Sequence, residues 1–159
     1  MPLHTIPPVW DTHSEVLILG SFPSVKSREA QFFYAHQQNR FWPLLAQVYA
    51  EPVPTTIDEK KLLLLRHHLA LWDVVSSCEI DLSSDSTIRS VQPNDVLPLL
   101  HAAPIRAILC NGQTAGKLYK RYLENVTGLP ALVLPSTSPA NAAWRFERLV
   151  SVWKEALPQ

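Results

Sequence analysis

The order of this chain predicts an α/β fold, a mostly parallel sheet with helices on both faces. Three observations predict it. Apolar runs at EVLILG (15–20), IRAILCNG (105–112) and GLPALVLP (128–135) are continuous, so as strands they need cover on both sides. Segments with helical spacing follow these runs, which makes the strand–loop–helix order a layered one. The runs also end sharply: EVLIL empties into GSFPS, and the second run exits at Gly112.

Residues 1–13 are rich in proline and histidine and are expected to wrap the surface. After the first strand, a loop runs from Ser21 to about Gln38. NRFWPLLAQVYA (39–50) carries apolar residues at helical spacing, with Asn39 able to cap and Pro43 still in the tolerant early region. TIDEKKLLLLRHH (56–68) predicts another helix, capped by Thr56 or Asp58, with acidic residues in its first turn. LALWDVV (69–75) reads as a short strand or its approach. The serine-rich stretch 76–91 has no firm period and reads as a loop. PNDVLPLLHAAP (93–104) predicts a helix interrupted by Pro98, and QTAGKLYKRYLEN (113–125) a helix after the second strand. Between 136 and 157 a loop becomes a long helix, with Trp144, Leu149, Val152, Trp153 and Leu157 on its apolar face.

The 159 residues suit one domain, read as 1–159, with length enough to bury a core. Its 14 basic and 14 acidic residues give zero net formal charge, which argues against an unspecific polyanion binder. Cys78 and Cys110 are too few for a tetrahedral sulfur site or an iron–sulfur cluster, and they suggest a reducing compartment. No apolar run reaches membrane length and the N-terminus lacks a signal-type stretch, so a cytoplasmic protein is expected.

In open parallel sheets, ligands gather beyond the carboxyl ends of the strands. That rule brings GSFPS (20–24), CNG (110–112) and PSTSPAN (135–141) to one region. Nucleotide motifs fail there. GSFPSV lacks the second glycine of a dinucleotide fingerprint, and GQTAGKL is one residue short of a phosphate loop, with Leu118 where a hydroxyl belongs. Metal chemistry lacks a pattern: His67 and His68 are adjacent, and His36 and His101 have no ligand partners at a recognised spacing. Ser151 and Lys154, one turn apart, read as the surface of a helix.

Two segments carry more. QFFYAHQQNRFWP (31–43) is either an aromatic satellite core or a pocket where a planar ligand stacks while amides read its edge. Asn39 offers an acceptor and two donors there. LPSTSPAN (134–141) is either a capped strand-to-helix loop or a rigid loop whose hydroxyls and exposed amide hydrogens hold phosphates. Arg145, Arg148, Lys117, Lys120 and Arg121 form either a small positive face or a scattered solvated surface.

LILGSFPS, FFYAHQQNRFWP, LWDVVSSC, ILCNG and LPSTSPANA together resemble the uracil-DNA glycosylase superfamily, and its hypoxanthine-DNA glycosylase branch in particular. The pieces occur in the family's order and span most of residues 15 to 145. The resemblance implies a three-layer α/β/α sandwich around a central four-stranded parallel sheet. It implies an enzyme that excises altered bases from DNA without metal or redox cofactor and leaves an abasic site, commonly as a monomer.

By the same resemblance, residues 20–24 form the first active-site loop. Gly20, Ser21, Phe22 and Pro23, with Phe33, Tyr34 and His36, are expected around the base, Tyr34 stacking on it. Asn39 matches the branch's catalytic asparagine, and Asn111 an amide that holds or recognises the base. Ser136, Thr137, Ser138, Pro139, Asn141 and Arg145 are expected to meet the DNA near the extruded nucleotide. Many family members place Asp or Asn at the third position of the first motif to position water; this chain has Phe22, and Ser24 stands where glycine is frequent. The departure favours deoxyinosine over uracil, with Asn39 orienting the water. No lysine is placed as a Schiff-base nucleophile, Lys26 being nearest, so strand cleavage is not expected. The alternatives are a uracil or broader deaminated-base glycosylase, and a noncatalytic nucleic-acid binding module.

Overall fold

β1 (Val16–Gly20) is buried along its whole length in the computed structural model, which describes residues 6–79 and 89–159. Its alternate side chains enter two separate cores. Val16 and Ile18 pack with Ile6, Val9, Phe41, Leu44, Leu64 and Trp153, whereas Leu17 and Leu19 pack with Phe22, Val96, Leu99, Ala115 and Tyr119. A strand apolar at every position is what a sheet covered on both faces requires.

The sheet has four parallel strands in the order β2-β1-β5-β6, with β2 (Leu69–Asp73), β5 (Ala107–Asn111) and β6 (Ala131–Leu134). On one face lie α2 (Phe41–Val48), α3 (Ile57–Arg66) and α7 (Phe146–Ala156); on the other lie α4 (Leu97–Ala102) and α5 (Gln113–Tyr122). These are the three layers expected. The register sets Gly20 opposite Asp73 and Asn111 opposite Leu134, so these four residues share the carboxyl edge.

Several elements follow the sequence reading. Thr56 caps α3 in a reciprocal capping box with Glu59. Leu149, Trp153 and Leu157 bury the face of α7, and Trp144 and Val152 pack against it. Gly116 on α5 allows close packing on the sheet, since a methyl group there would lie 2.5 Å from Val133 Cγ2. Cys110 is buried in the second core, where burial pushes its thiol up to about 12 and makes it unreactive at neutral pH.

Other elements differ. The segment from residue 6 does more than wrap the surface, because Ile6 and Val9 are buried and Val9 bridges Leu71. The loop after β1 contains α1 (Val25–Ala30), capped by the Ser24 side chain; six residues are too few to show a helical period. Part of the serine-rich stretch pairs as β3 (Val75–Glu79) with β4 (Arg89–Pro93), antiparallel but with register shifts that break the alternation. The rest of that stretch, 80–88, lies outside the described residues. Pro98 starts α4 rather than interrupting it. After α5, a separate short helix α6 (Glu124–Thr127) precedes β6. Among the described residues, no helix is long and apolar enough to cross a membrane.

Candidate active site

The three polar exits meet as the parallel topology requires. A cavity of about 470 Å³ opens at the carboxyl edge of the sheet, a volume suited to a small planar ligand. It is lined by Gly20, Ser21, Phe22, Pro23 and Ser24 from the first loop, by Phe33, Tyr34, His36 and Asn39 from the approach to α2, by Asn111, and by Ser136 to Ala140 from the loop after β6. Gly112 permits the turn beside it: its φ of 98° suits glycine, and its N–H donates to Leu134 O at 2.9 Å.

Asn39, Asn111 and Thr137 form one hydrogen-bonded network. Asn111 Nδ2 donates to Thr137 Oγ1 at 3.1 Å, and Asn111 Oδ1 accepts from the Thr137 N–H at 3.1 Å. The Thr137 hydroxyl, its own lone pair engaged, donates onward to Asn39 Oδ1 at 2.8 Å. The same oxygen accepts from the Phe41 N–H at 3.0 Å. A backbone N–H only donates, which fixes the amide's orientation and commits its oxygen twice. Asn39 therefore meets the cavity as a donor through Nδ2. It stands one residue before the position that begins α2, which Arg40 occupies without a side-chain cap.

Thr137 departs from the expected DNA contact. It is wholly buried, its hydroxyl is engaged by both asparagines, and no phosphate can reach it. The expected exposed amides of this loop are also engaged: the N–H groups of Thr137, Ser138, Ala140 and Asn141 all find acceptors within the protein. Ser136, Ser138 and Pro139 are half-buried and line the cavity, the two serine hydroxyls accepting from the Ser138 and Ala140 N–H groups. The Asn141 Nδ2 donates to Ser136 O at 3.0 Å, and Asn141 is not among the cavity-lining residues. Arg145 is exposed at the start of α7, also outside the lining, and so are Arg148, stacked 4.0 Å over Trp144, and the three cations of α5.

Arg40 holds this second loop. Its guanidinium donates to the carbonyls of Thr137, Ser138, Asn141 and Trp144, and its own N–H bonds Thr137 O at 3.1 Å. A planar five-donor group can span several carbonyls at once, which no other side chain does.

Tyr34 stands at φ 53°, a left-handed conformation uncommon for an aromatic residue. Phe41 stacks on one face of its ring at 4.2 Å between centroids. Its hydroxyl and Asp73 Oδ1 both crowd over Gly20, where a methyl group would come 2.9 Å and 2.3 Å from them. Gly20→Ala is thus expected to lower the unfolding free energy by about 1–3 kcal/mol. Chemical denaturation measures this, and an unchanged midpoint would mean that Asp73 and Tyr34 do not pack there. Phe33 is buried, its carbonyl accepting from Trp42 Nε1. His36 is exposed, and its Nδ1 accepts from the Gln38 N–H, so the neutral ring carries its proton on Nε2.

Sequence reasoning missed two charged cavity residues. Asp73 is 4% exposed and supplies the only carboxyl among the lining residues. Its signal was its place at a strand's carboxyl end. Arg28 lines the cavity from α1, a helix the sequence does not announce. Among the described residues, no group of three His, Cys, Asp or Glu side chains is placed to hold a metal ion.

A parallel four-stranded sandwich with its polar cavity at this edge, walled by these motifs, defines the class: residues 7–157 match the uracil DNA glycosylase superfamily, and the chain belongs to that family. More particularly, it is 38% identical over 137 residues to the hypoxanthine DNA glycosylase of Methanosarcina acetivorans, covering 85% of each chain. It is 33% identical over 152 residues to the hypoxanthine DNA glycosylase of Methanosarcina barkeri, covering 94% of each. A Methanosarcina acetivorans protein solved by solution NMR superposes with a TM-score of 0.79 at 33% identity, over 94% of this chain and 95% of that one.

Proposed function

We propose that this chain is a monofunctional DNA glycosylase that hydrolyses the N-glycosidic bond of deoxyinosine, releasing hypoxanthine and leaving an abasic site. The observation that carries the reading is the joining of Asn39, Thr137 and Asn111 on the wall of a cavity shared with the first loop. The two relatives named hypoxanthine DNA glycosylase support the choice of base.

The damaged nucleotide rotates out of the duplex at a cost of a few kcal/mol, which is least for a poorly paired base. As the C1′–N9 bond breaks, its electron pair moves to the purine and positive charge develops on the sugar. Donors whose bonds to the purine strengthen as it gains negative charge accelerate the step. Asn39 Nδ2 is such a donor, fixed by the two bonds to its oxygen. Water attacks C1′ and must give up a proton. Phe22 offers no acceptor, and Asn39 Oδ1 is engaged, so Asp73 is assigned that role as the cavity's only carboxyl.

Asp73→Asn, close in shape, is expected to lower release by about 10²-fold or more. Single-turnover kinetics measures it, and a wild-type rate would remove Asp73 from the reaction. The function itself is tested by comparing single-turnover base release from matched duplexes containing deoxyinosine, deoxyuridine or deoxyxanthosine. Deoxyinosine is expected to react fastest; faster release of uracil would contradict the assignment of the base.

A further inference from the structure

Arg28 is a cation of the cavity wall that the reaction above does not use. It lines the cavity from α1, its guanidinium carbon 5.6 Å from the centroid of the Phe22 ring. Its Nε is buried and has no hydrogen-bond acceptor among the described residues. Four other cations have partners, Arg66 with Glu51, Arg106 with Glu15, Lys26 with Glu29 and Arg40 with loop carbonyls, and Lys117, Lys120, Arg145 and Lys154 are exposed to water. A buried guanidinium N–H without an acceptor is unfavourable, and a ligand in this cavity can supply one.

We infer that Arg28 reads the O6/N7 edge of the extruded base and makes the site selective for 6-oxopurines, an inference that rests on the glycosylase reading above. The guanidinium fork matches two adjacent acceptors, as in the recognition of guanine by arginine, and hypoxanthine presents the same O6 and N7 pair. Adenine turns an amino group toward that position, setting donor against donor and leaving both desolvated. Uracil offers one carbonyl there and no N7. Xanthine shares the edge and is accepted at this wall. Guanine shares it too, so rejection of guanine falls on its 2-amino group and its stable pairing, not on Arg28. Phe22 supports the planar guanidinium, giving an apolar residue at that motif position a use that Asp or Asn would not serve.

The test compares Arg28→Ala and Arg28→Lys with the wild type in two measurements. These are single-turnover hypoxanthine release from a deoxyinosine duplex, and affinity for the same duplex carrying a tetrahydrofuran abasic analogue, which has phosphates but no base. Lys keeps a positive charge on a long side chain at this position while losing the fork. Release is expected to fall about tenfold or more in both variants, and base-free affinity to stay within about twofold of wild type. Unchanged release, full rescue by lysine, or an equal loss of base-free affinity would overturn the inference, the last marking Arg28 as a phosphate contact. Wild-type protein that releases no hypoxanthine would instead overturn the glycosylase reading beneath it.

Discussion

Asn39→Ala is expected to slow single-turnover release of hypoxanthine by about 10²- to 10³-fold, the loss typical of one aligned donor in a closed site. The effect on folding should be small. Asn39 Oδ1 satisfies the Phe41 N–H at the start of α2, a capping role whose loss costs about 1 kcal/mol. Asn39→Asp separates the two contributions. An aspartate oxygen still accepts from Phe41 N–H and from the Thr137 hydroxyl, so the network and the helix start persist. The amide hydrogens of Nδ2 are gone. The aspartate variant is therefore expected to fold like the wild type and release base as slowly as the alanine variant. Near-normal release by Asn39→Asp would show that the oxygen acts in the reaction, and that Asn39 works by accepting rather than donating.

Arg40→Ala is the second large effect. Arg40 reaches no ligand-lining position, yet four carbonyls of residues 137 to 144 depend on its guanidinium. Hydrogen bonds to a charged donor contribute about 1.5–3 kcal/mol each, and carbonyls that can turn to water recover part of this, so a loss of about 2–4 kcal/mol in stability is expected. The kinetic loss follows from geometry. Thr137 is in the released segment, and without its hydroxyl Asn39 and Asn111 lose their common partner. A displacement of about 1 Å at such a point costs about 10²-fold in rate. Arg40→Lys keeps the charge but cannot bridge four separated carbonyls, so only partial recovery is expected. Stability within error of wild type for Arg40→Ala, measured by thermal unfolding, would show that the loop holds itself.

Much of this was legible in the residues. EVLILG and IRAILCNG need cover on two faces, and that alone implies helices on both sides of a parallel sheet, with polar exits gathered at one edge. Asn39, Asn111 and the second loop were identified by motif and meet in space. Their hydrogen-bond roles were not legible. Spacing along a loop does not reveal which hydroxyl turns inward, so Thr137 was grouped with Ser136 and Ser138, although it is buried between the asparagines. Asp73 was hidden because an acid ending a strand reads as its polar terminus until the register brings it opposite Gly20. Arg28 was hidden because α1 is a single capped turn and a half, too short for a period. β3 and β4 were hidden by register shifts, which move successive side chains off a two-residue alternation.

The most direct measurement is chromatographic detection of the free base after incubating the protein with deoxyinosine duplex, together with sizing of the treated strand before and after alkali. Free hypoxanthine is expected in proportion to abasic sites, in a strand that stays whole until alkali breaks it. Unaltered deoxyinosine in duplex that the protein nonetheless binds would contradict hydrolysis in this cavity and leave a scaffold that only holds DNA.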